Sequence, residues 1–258
     1  MSEDSTSIAV FNKDDLPAFM QDSPQVGIDE LSTHQTTPRF AIVQSQSSPD
    51  RKDQFGEGSV VVFPDGIKVC EAGEEFTVIP LLFWASWEKR SDIMDTMSPM
   101  VVESSHDENS ILAQKCRNPE TRTEPYADNP QFSYKYMENL NFIMRIDSGP
   151  AAGTHGLVSF NGGEHYTGQK LCSFLKRRPC SIYGNRISLK AARRQRQNKS
   201  WFGFDFNNPS DAAFVENQEL FQELKQQHTD LRSLVKSAQY TPADVETTTE
   251  QPVLGVDI

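Results

Sequence analysis

Basic and aromatic side chains share one segment of this chain, between Tyr166 and Phe206. Single-stranded nucleic acid requires cations that follow its phosphates and flat rings that stack on its unpaired bases. From His165 to Phe204 the chain contains ten lysines and arginines and no aspartate or glutamate. Ordinary solvated surfaces mix both signs of charge. The segment therefore predicts a nucleic-acid-binding surface, although the net charge of the whole chain is −11.

The predicted binding residues are of two kinds. The cations expected to neutralise phosphates are Lys176, Arg177, Arg178, Arg186, Lys190, Arg193, Arg194, Arg196 and Lys199. The rings expected to stack on bases are Tyr183 and Trp201, with Trp84 or Trp87 as further candidates. If 201–206 is a strand, Trp201 faces away from Phe202, Phe204 and Phe206, which then fill the core.

A plainer interpretation of the same residues stays open. Aromatic residues at strand spacing usually belong to the core of a protein. The basic stretch 190–199 is then either a solvated hairpin loop or a contact for an acidic protein partner. Neither alternative explains why cations and rings share one segment.

Enzyme motifs are missing from the sequence. It contains no GxxxxGK[ST], HExxH or GxSxG pattern. The glycine-rich stretch 149–156 lacks a lysine after its glycines, so we expect a flexible linker rather than a phosphate cradle. His155 or His165 could pair with Asp147 or Glu164, but a linker is the better interpretation. We therefore expect no catalytic activity and no cofactor.

The cysteines form no metal-ligand knuckle. A zinc site that uses Cys116, Cys172 and Cys180 with His106 or His165 is conceivable, but the spacings match no known ligand pattern. We expect reduced thiols and no metal. The opening residues lack the basic and apolar regions of a secretory signal, and no apolar run is long enough to span a membrane. These features predict a cytoplasmic protein.

Three regions are expected along the chain. Residues 1–36 predict a disordered N-terminal arm, and 239–258 predict a disordered acidic tail. The domain between them, 37–238, is expected to carry a long insertion at about 91–131, with a short helix over 109–115.

Alternating and turn patterns predict the elements of this domain. Predicted strands cover 39–44, 59–63, 67–70, 75–87, 132–136, 140–146, 181–189 and 200–206, with a tight hairpin at Pro64-Asp65-Gly66 and a bulge or bend at Pro80. Predicted helices cover 165–177 and 211–238, the second amphipathic and capped by Ser210. The basic loop 190–199 is expected to join the last two strands. This pattern predicts a mainly β protein with some α (α+β), an elaborated OB-like β-barrel with a C-terminal amphipathic helix. A β-sandwich is the alternative.

Several short stretches resemble bacteriophage proteins. Residues 16–20, 38–44 with Ser48-Pro49, and 76–81 are similar to phage proteins found among replication and recombination functions. Ile182-Tyr183-Gly184, Leu189-Lys190 and 200–203 resemble phage single-stranded-DNA-binding proteins. The resemblance covers about 38–90 and 165–258. The chain departs from that family in having no aromatic residue at its C-terminus.

The resemblance implies an OB fold and an acidic tail that contacts the replication machinery. The expected function is to bind and protect single-stranded DNA during phage replication or recombination, in the cytoplasm of the host cell. The C-terminal tail is expected to contact replication or transcription proteins. The alternatives are a protein-interaction factor, such as a phage transcription regulator or replication accessory protein, and a virion structural protein.

Overall fold

The computed structural model describes residues 38–91, 101–126, 132–196, 199–209 and 212–240. In these ranges the strands are β1 (Arg39–Ile42), β2 (Val60–Phe63), β3 (Ile67–Cys70), β4 (Glu75–Ser91), β5 (Val101–Ser105), β6 (Thr123–Pro125), β7 (Ser133–Ile146), β8 (His155–Phe160), β9 (Ile187–Arg196) and β10 (Lys199–Asn207). The helices are α1 (Pro49–Phe55), α2 (Ile111–Arg117), α3 (His165–Lys176) and α4 (Gln218–Tyr240). The predicted arm and the acidic sequence after Tyr240 lie outside the described residues.

All ten strands belong to one sheet. Its order is β10-β9-β4-β7-β8-β1-β2-β3, with β5 added to β4 and β6 added to β7. The sheet curls into a half-barrel, and few helices accompany it. The expectation of a mixed, mostly β protein is therefore confirmed at this level.

The β2–β3 hairpin forms where the turn signal predicts it. Val60, Val61 and Val62 are buried, and the turn ends at Gly66, whose φ of 68° favours glycine. The long strand β4 is also found, and its pairing with β7 shifts register between Pro80 and Leu82. Proline has no N–H to donate to a ladder, so the predicted irregularity at Pro80 is confirmed.

Two hydrophobic clusters lie on opposite sides of the same strands. The main core contains Phe142 and Phe160 from the sheet and Leu171 from α3. The second cluster contains Ile79 of β4 and Leu224 of α4. Because β4 and β7 contribute to both clusters, α3 and α4 are held on different faces of the sheet.

Helix α3, at His165–Lys176, matches its predicted span of 165–177 closely.

The prediction of a flexible linker over 149–156 was wrong in part, because β8 begins at His155 and pairs with β7. Gly156 lies against the ring of Phe40, and a Cβ atom there would stand only 2.1 Å from the ring. Close packing, rather than chain flexibility, accounts for this glycine.

The predicted basic loop 190–199 was also wrong. Lys190–Arg196 continues strand β9, which pairs with β10 from Ser188 to Arg196. The strand predicted from 181 begins at Ile187, after a 3-10 turn at Ile182–Gly184. The insertion predicted at 91–131 contains β5, α2 and β6 in its described part, and α1 was not predicted at all.

Helix α4 begins at Gln218, later than the predicted residue 211. Phe214 instead forms an isolated bridge with Asn185. Among the described helices, none combines the length and apolar character needed to cross a membrane.

Candidate nucleic-acid interface

Helix α3 presents one polar and aromatic face to solvent. Tyr166 and Lys170 lie four positions apart, and Arg177 follows seven positions later, so all three share this face. The Tyr166 side chain is 66% exposed, and the Lys170 Nζ stands 4.5 Å from the centre of its ring. Leu171, on the other side of the helix, is fully buried in the main core and fixes the helix against the sheet.

An open groove of about 760 Å³ runs beside this face of α3. Its lining includes Leu140 of β7, Phe206 of β10, and Tyr166, Lys170, Phe174 and Arg177 from α3 and its C-terminal end. Apolar and aromatic side chains therefore combine with cations in one concave surface. This combination suits a ligand that has flat rings and repeated negative charges.

Among the described residues that line the groove, Glu138 is the one acid, and it is paired. Its Oε2 lies 2.7 Å from the Nε2 of His165, the first residue of α3. The hydrogen bond from His165 lowers the pKa of Glu138 although partial burial opposes the shift. Glu138 therefore stays ionised, with the His165 imidazole as its hydrogen-bond partner.

Arg186 and Lys190, two of the predicted phosphate contacts, lie beside acids, as Arg194 also does. Arg186 binds Asp147 through Nε at 2.7 Å, and the two side chains are only 17% and 11% exposed. Lys190 lies 3.5 Å from Glu75 of the neighbouring strand and remains partly exposed. Arg186 is therefore a structural residue, and Lys190 is a weak candidate for phosphate binding.

Arg194 and Trp201 are direct cross-strand partners and share one carboxylate. The Trp201 Nε1 donates a hydrogen bond to Glu164 Oε1 at 2.8 Å, and Arg194 lies 3.5 Å from the same oxygen. Arg194 also binds Asp205 at 2.7 Å. A Cβ atom on Gly203 would overlap the Glu164 carboxylate, so this glycine leaves room for the acid. Trp201 of β10 and Arg194 of β9 thus fasten the hairpin to the start of α3.

The other predicted stacking rings are partly or fully buried against the protein's own side chains. The centre of the Tyr183 ring is 5.2 Å from that of Phe221 and 5.2 Å from that of His228, both on α4. Trp84 packs against the same second cluster, and Trp87 is only 4% exposed. Helix α4 covers Tyr183, so this ring is not presented to a base in the folded structure.

The remaining predicted cations are more accessible. Lys176, Arg177 and Arg193 are exposed, and within the described residues none of them has an ion-pair partner. Arg178 lies over the rings of Phe174 and Phe214 and bonds the side chain of Asn208. The side chains of Arg196 and Lys199 lie outside the described ones.

Sequence reasoning did not select Tyr166 or Lys170 as binding residues. The available signal was their four-residue spacing on a segment already predicted to be helical, with Arg177 further along the same face. The structure shows that this face of α3 is open, whereas Lys190, Arg194 and Trp201 of the β9–β10 hairpin contact acidic residues of the protein itself.

The described residues contain no group of three or more His, Cys, Asp or Glu side chains that could hold a metal ion. The alternative zinc site at Cys116, Cys172 and Cys180 therefore has no geometric support. All four cysteines are free thiols, and burial raises the pKa of Cys116 and of Cys172 to about 11.

The chain matches no protein-family model, and neither a curated protein nor a solved structure is found to match it.

Proposed function

We propose that this protein binds single-stranded DNA along the groove beside α3. Tyr166 stacks on a base there, and Lys170, Lys176 and Arg177 neutralise phosphates. Phe174 and Phe206 supply apolar contact for neighbouring bases in the groove. The proposed role is to coat and protect single strands during phage replication or recombination, without catalysis.

One observation carries this proposal: the exposed ring of Tyr166. A tyrosine that is 66% exposed gains little from the protein core, but it can gain about 1–3 kcal/mol by stacking on an unpaired base. The ammonium of Lys170 stands over this ring and can reach a phosphate beside the stacked base. Ring and cation are therefore arranged for the same nucleotide.

The curled sheet supports a finer proposal about the fold. OB-type barrels bind single strands across one face and through their loops. We propose that the half-barrel is an elaborated OB-like sheet in which α3 and β10 border the binding groove. The acid-rich sequence after Tyr240 is proposed to contact replication or transcription proteins.

Fluorescence anisotropy with a labelled oligothymidylate at two salt concentrations tests the proposal. Affinity should fall with salt, with a log–log slope of about −0.7 per phosphate contacted. Tyr166→Ala should weaken binding by about 1–3 kcal/mol. The double variant Lys170→Gln/Arg177→Gln should make the slope shallower by about 1.4.

A matched control removes the same number of charges elsewhere. Lys225 and Arg232 are exposed on α4, and the double variant Lys225→Gln/Arg232→Gln should bind like the wild type. Millimolar affinity of the wild type at low salt would end the proposal. Binding to host polymerase subunits without any binding to oligonucleotides would favour a protein-interaction factor instead.

A further inference from the structure

A second, smaller depression adjoins the groove beside α3. It has a volume of about 150 Å³, and its lining includes Cys116, Arg122, Tyr136, Glu138 and His165. Glu138 also lines the larger groove, so the two depressions are neighbours that meet at the Glu138–His165 pair. The surface beside α3 therefore continues past the start of that helix toward α2 and β6.

Two arginines flank this continuation. Arg117, at the end of α2, and Arg122, just before β6, are both exposed. Neither has an ion-pair partner among the residues that the structure describes. Lys115 of the same helix differs, because it lies 2.7 Å from Glu124. Among the described residues around this depression, the two arginines are therefore cations without an ion pair.

Helix α2, which carries Arg117, is anchored by its cap and by its buried face. Ser110 caps α2 by accepting a hydrogen bond from the Ala113 N–H at 3.2 Å. The helix also packs through a separate hydrophobic cluster. Its members are Leu112, Ala113 and Cys116 of the helix and Trp87 and Tyr136 of the sheet. A site on a rigid element loses less entropy when it binds a ligand.

Arg122 is itself positioned by two hydrogen bonds. Its Nε donates to the carbonyl oxygen of Cys116 at 2.6 Å, and its own carbonyl accepts from the Tyr136 N–H at 2.9 Å. The Nε contact orients the guanidinium group, whose remaining nitrogens can bind a phosphate.

We infer that the single strand held beside α3 continues across the Glu138–His165 pair, and that Arg117 and Arg122 bind its further phosphates. This inference rests on the proposed function and extends its binding surface. Charge complementarity and continuity of the two depressions select a nucleic-acid strand as the occupant. The surface beside α3 then binds the first few nucleotides, and the arginine pair is reached only by a longer strand.

Oligonucleotide length provides the test. The affinities of oligothymidylates of about 4 and about 16 nucleotides, which span the usual range for such folds, should be measured with the full chain. The double variant Arg117→Gln/Arg122→Gln should bind the short strand like the wild type and the long strand more weakly. Its salt slope with the long strand should be shallower by about 1.4.

The single variant Arg117→Gln controls for misfolding, because Arg117 is exposed and its guanidinium lies 5.7 Å from the centre of the Trp87 ring without an ion pair among the described residues. This variant should make the long-strand slope shallower by about 0.7. The Lys225→Gln/Arg232→Gln variant serves as the charge control. Unchanged long-strand binding by the double arginine variant would overturn the inference, and so would equal loss for both lengths. If the wild type binds neither strand, the proposed function itself fails.

Discussion

The side-chain amide of Gln44 bonds both backbone groups of Phe202. Gln44 Nε2 donates to the Phe202 carbonyl oxygen at 2.8 Å, and the Phe202 N–H donates to Gln44 Oε1 at 2.8 Å. Gln44 follows β1, whereas Phe202 lies on β10, at the end of the sheet order. This side chain therefore makes with Phe202 the pair of hydrogen bonds that a residue of a neighbouring strand would make, and it ties the β10 edge to the end of β1.

Gln44→Ala should lower the free energy of unfolding by about 1–3 kcal/mol, because the N–H and C=O of Phe202 lose their partner. Chemical denaturation monitored by circular dichroism measures this change. Gln44→Glu should also destabilise, since a carboxylate cannot donate to the carbonyl oxygen. Gln46→Ala is the matched control, because Gln46 is an exposed glutamine two positions away. Equal stability of the Gln44→Ala and Gln46→Ala proteins would contradict the conclusion that the Gln44 amide holds the β10 edge against β1.

Arg186 is predicted to act in stability rather than in binding. Arg186→Gln leaves the largely buried Asp147 carboxylate without its cation, which should cost about 3 kcal/mol of unfolding free energy. The salt slope of oligonucleotide binding should stay the same. Lys176→Gln should show the reverse, with unchanged stability and a slope shallower by about 0.7. If the Arg186→Gln protein has wild-type stability and a shallower salt slope, Arg186 binds phosphate and this assignment is wrong.

Local signals in the sequence were sufficient for several elements. The Pro64-Asp65-Gly66 turn identified the β2–β3 hairpin, and Pro80 identified the irregularity in β4. Both depend on backbone chemistry within a few residues, which can be read without tertiary structure. Strand β8 was missed because its glycines were interpreted as flexibility, whereas Gly156 makes room for Phe40.

The binding residues were harder to predict because ion pairing is a long-range property. Asp147 lies 39 positions before Arg186, and no local pattern links them. The segment from His165 to Phe204 is free of acids, but the fold brings Glu75, Asp147 and Glu164 onto it. The net charge of this segment in the sequence therefore did not predict the net charge of the folded surface to which it contributes.

Trp201 should stabilise the fold through its N–H rather than stack on a base. Trp201→Phe removes the hydrogen bond to Glu164 and should lower the unfolding free energy by about 1–2 kcal/mol. Oligonucleotide affinity should be unchanged, because the indole packs against Gly163 instead of facing the groove. Tyr166→Ala gives the opposite pattern, with lost affinity and wild-type stability. A Trp201→Phe protein that is fully stable but binds weakly would contradict this assignment.

We expect His155 to make the attachment of α4 sensitive to pH. Its Nε2 lies 3.2 Å from Gln227 Oε1 on α4, beside the ion pair of Arg145 with Glu223. Burial lowers the pKa of His155 below its ordinary value of 6.5, and the charge of Arg145 acts in the same direction, while the contacts with Gln227 and Glu223 oppose the shift. The folded protein therefore binds a proton at this site less readily than the unfolded chain does.

This difference fixes the direction of the pH effect. Above pH 6.5 the imidazole is neutral in both states and contributes nothing to the pH dependence. As the pH falls through 6.5 the unfolded chain gains the proton first, so the free energy of unfolding decreases until the folded-state pKa has been passed. Denaturation of the wild type and of His155→Gln at pH 7 and pH 5 measures the effect, and the wild type should lose more stability between the two. Equal losses would show that protonation of His155 does not weaken the contact between β8 and α4.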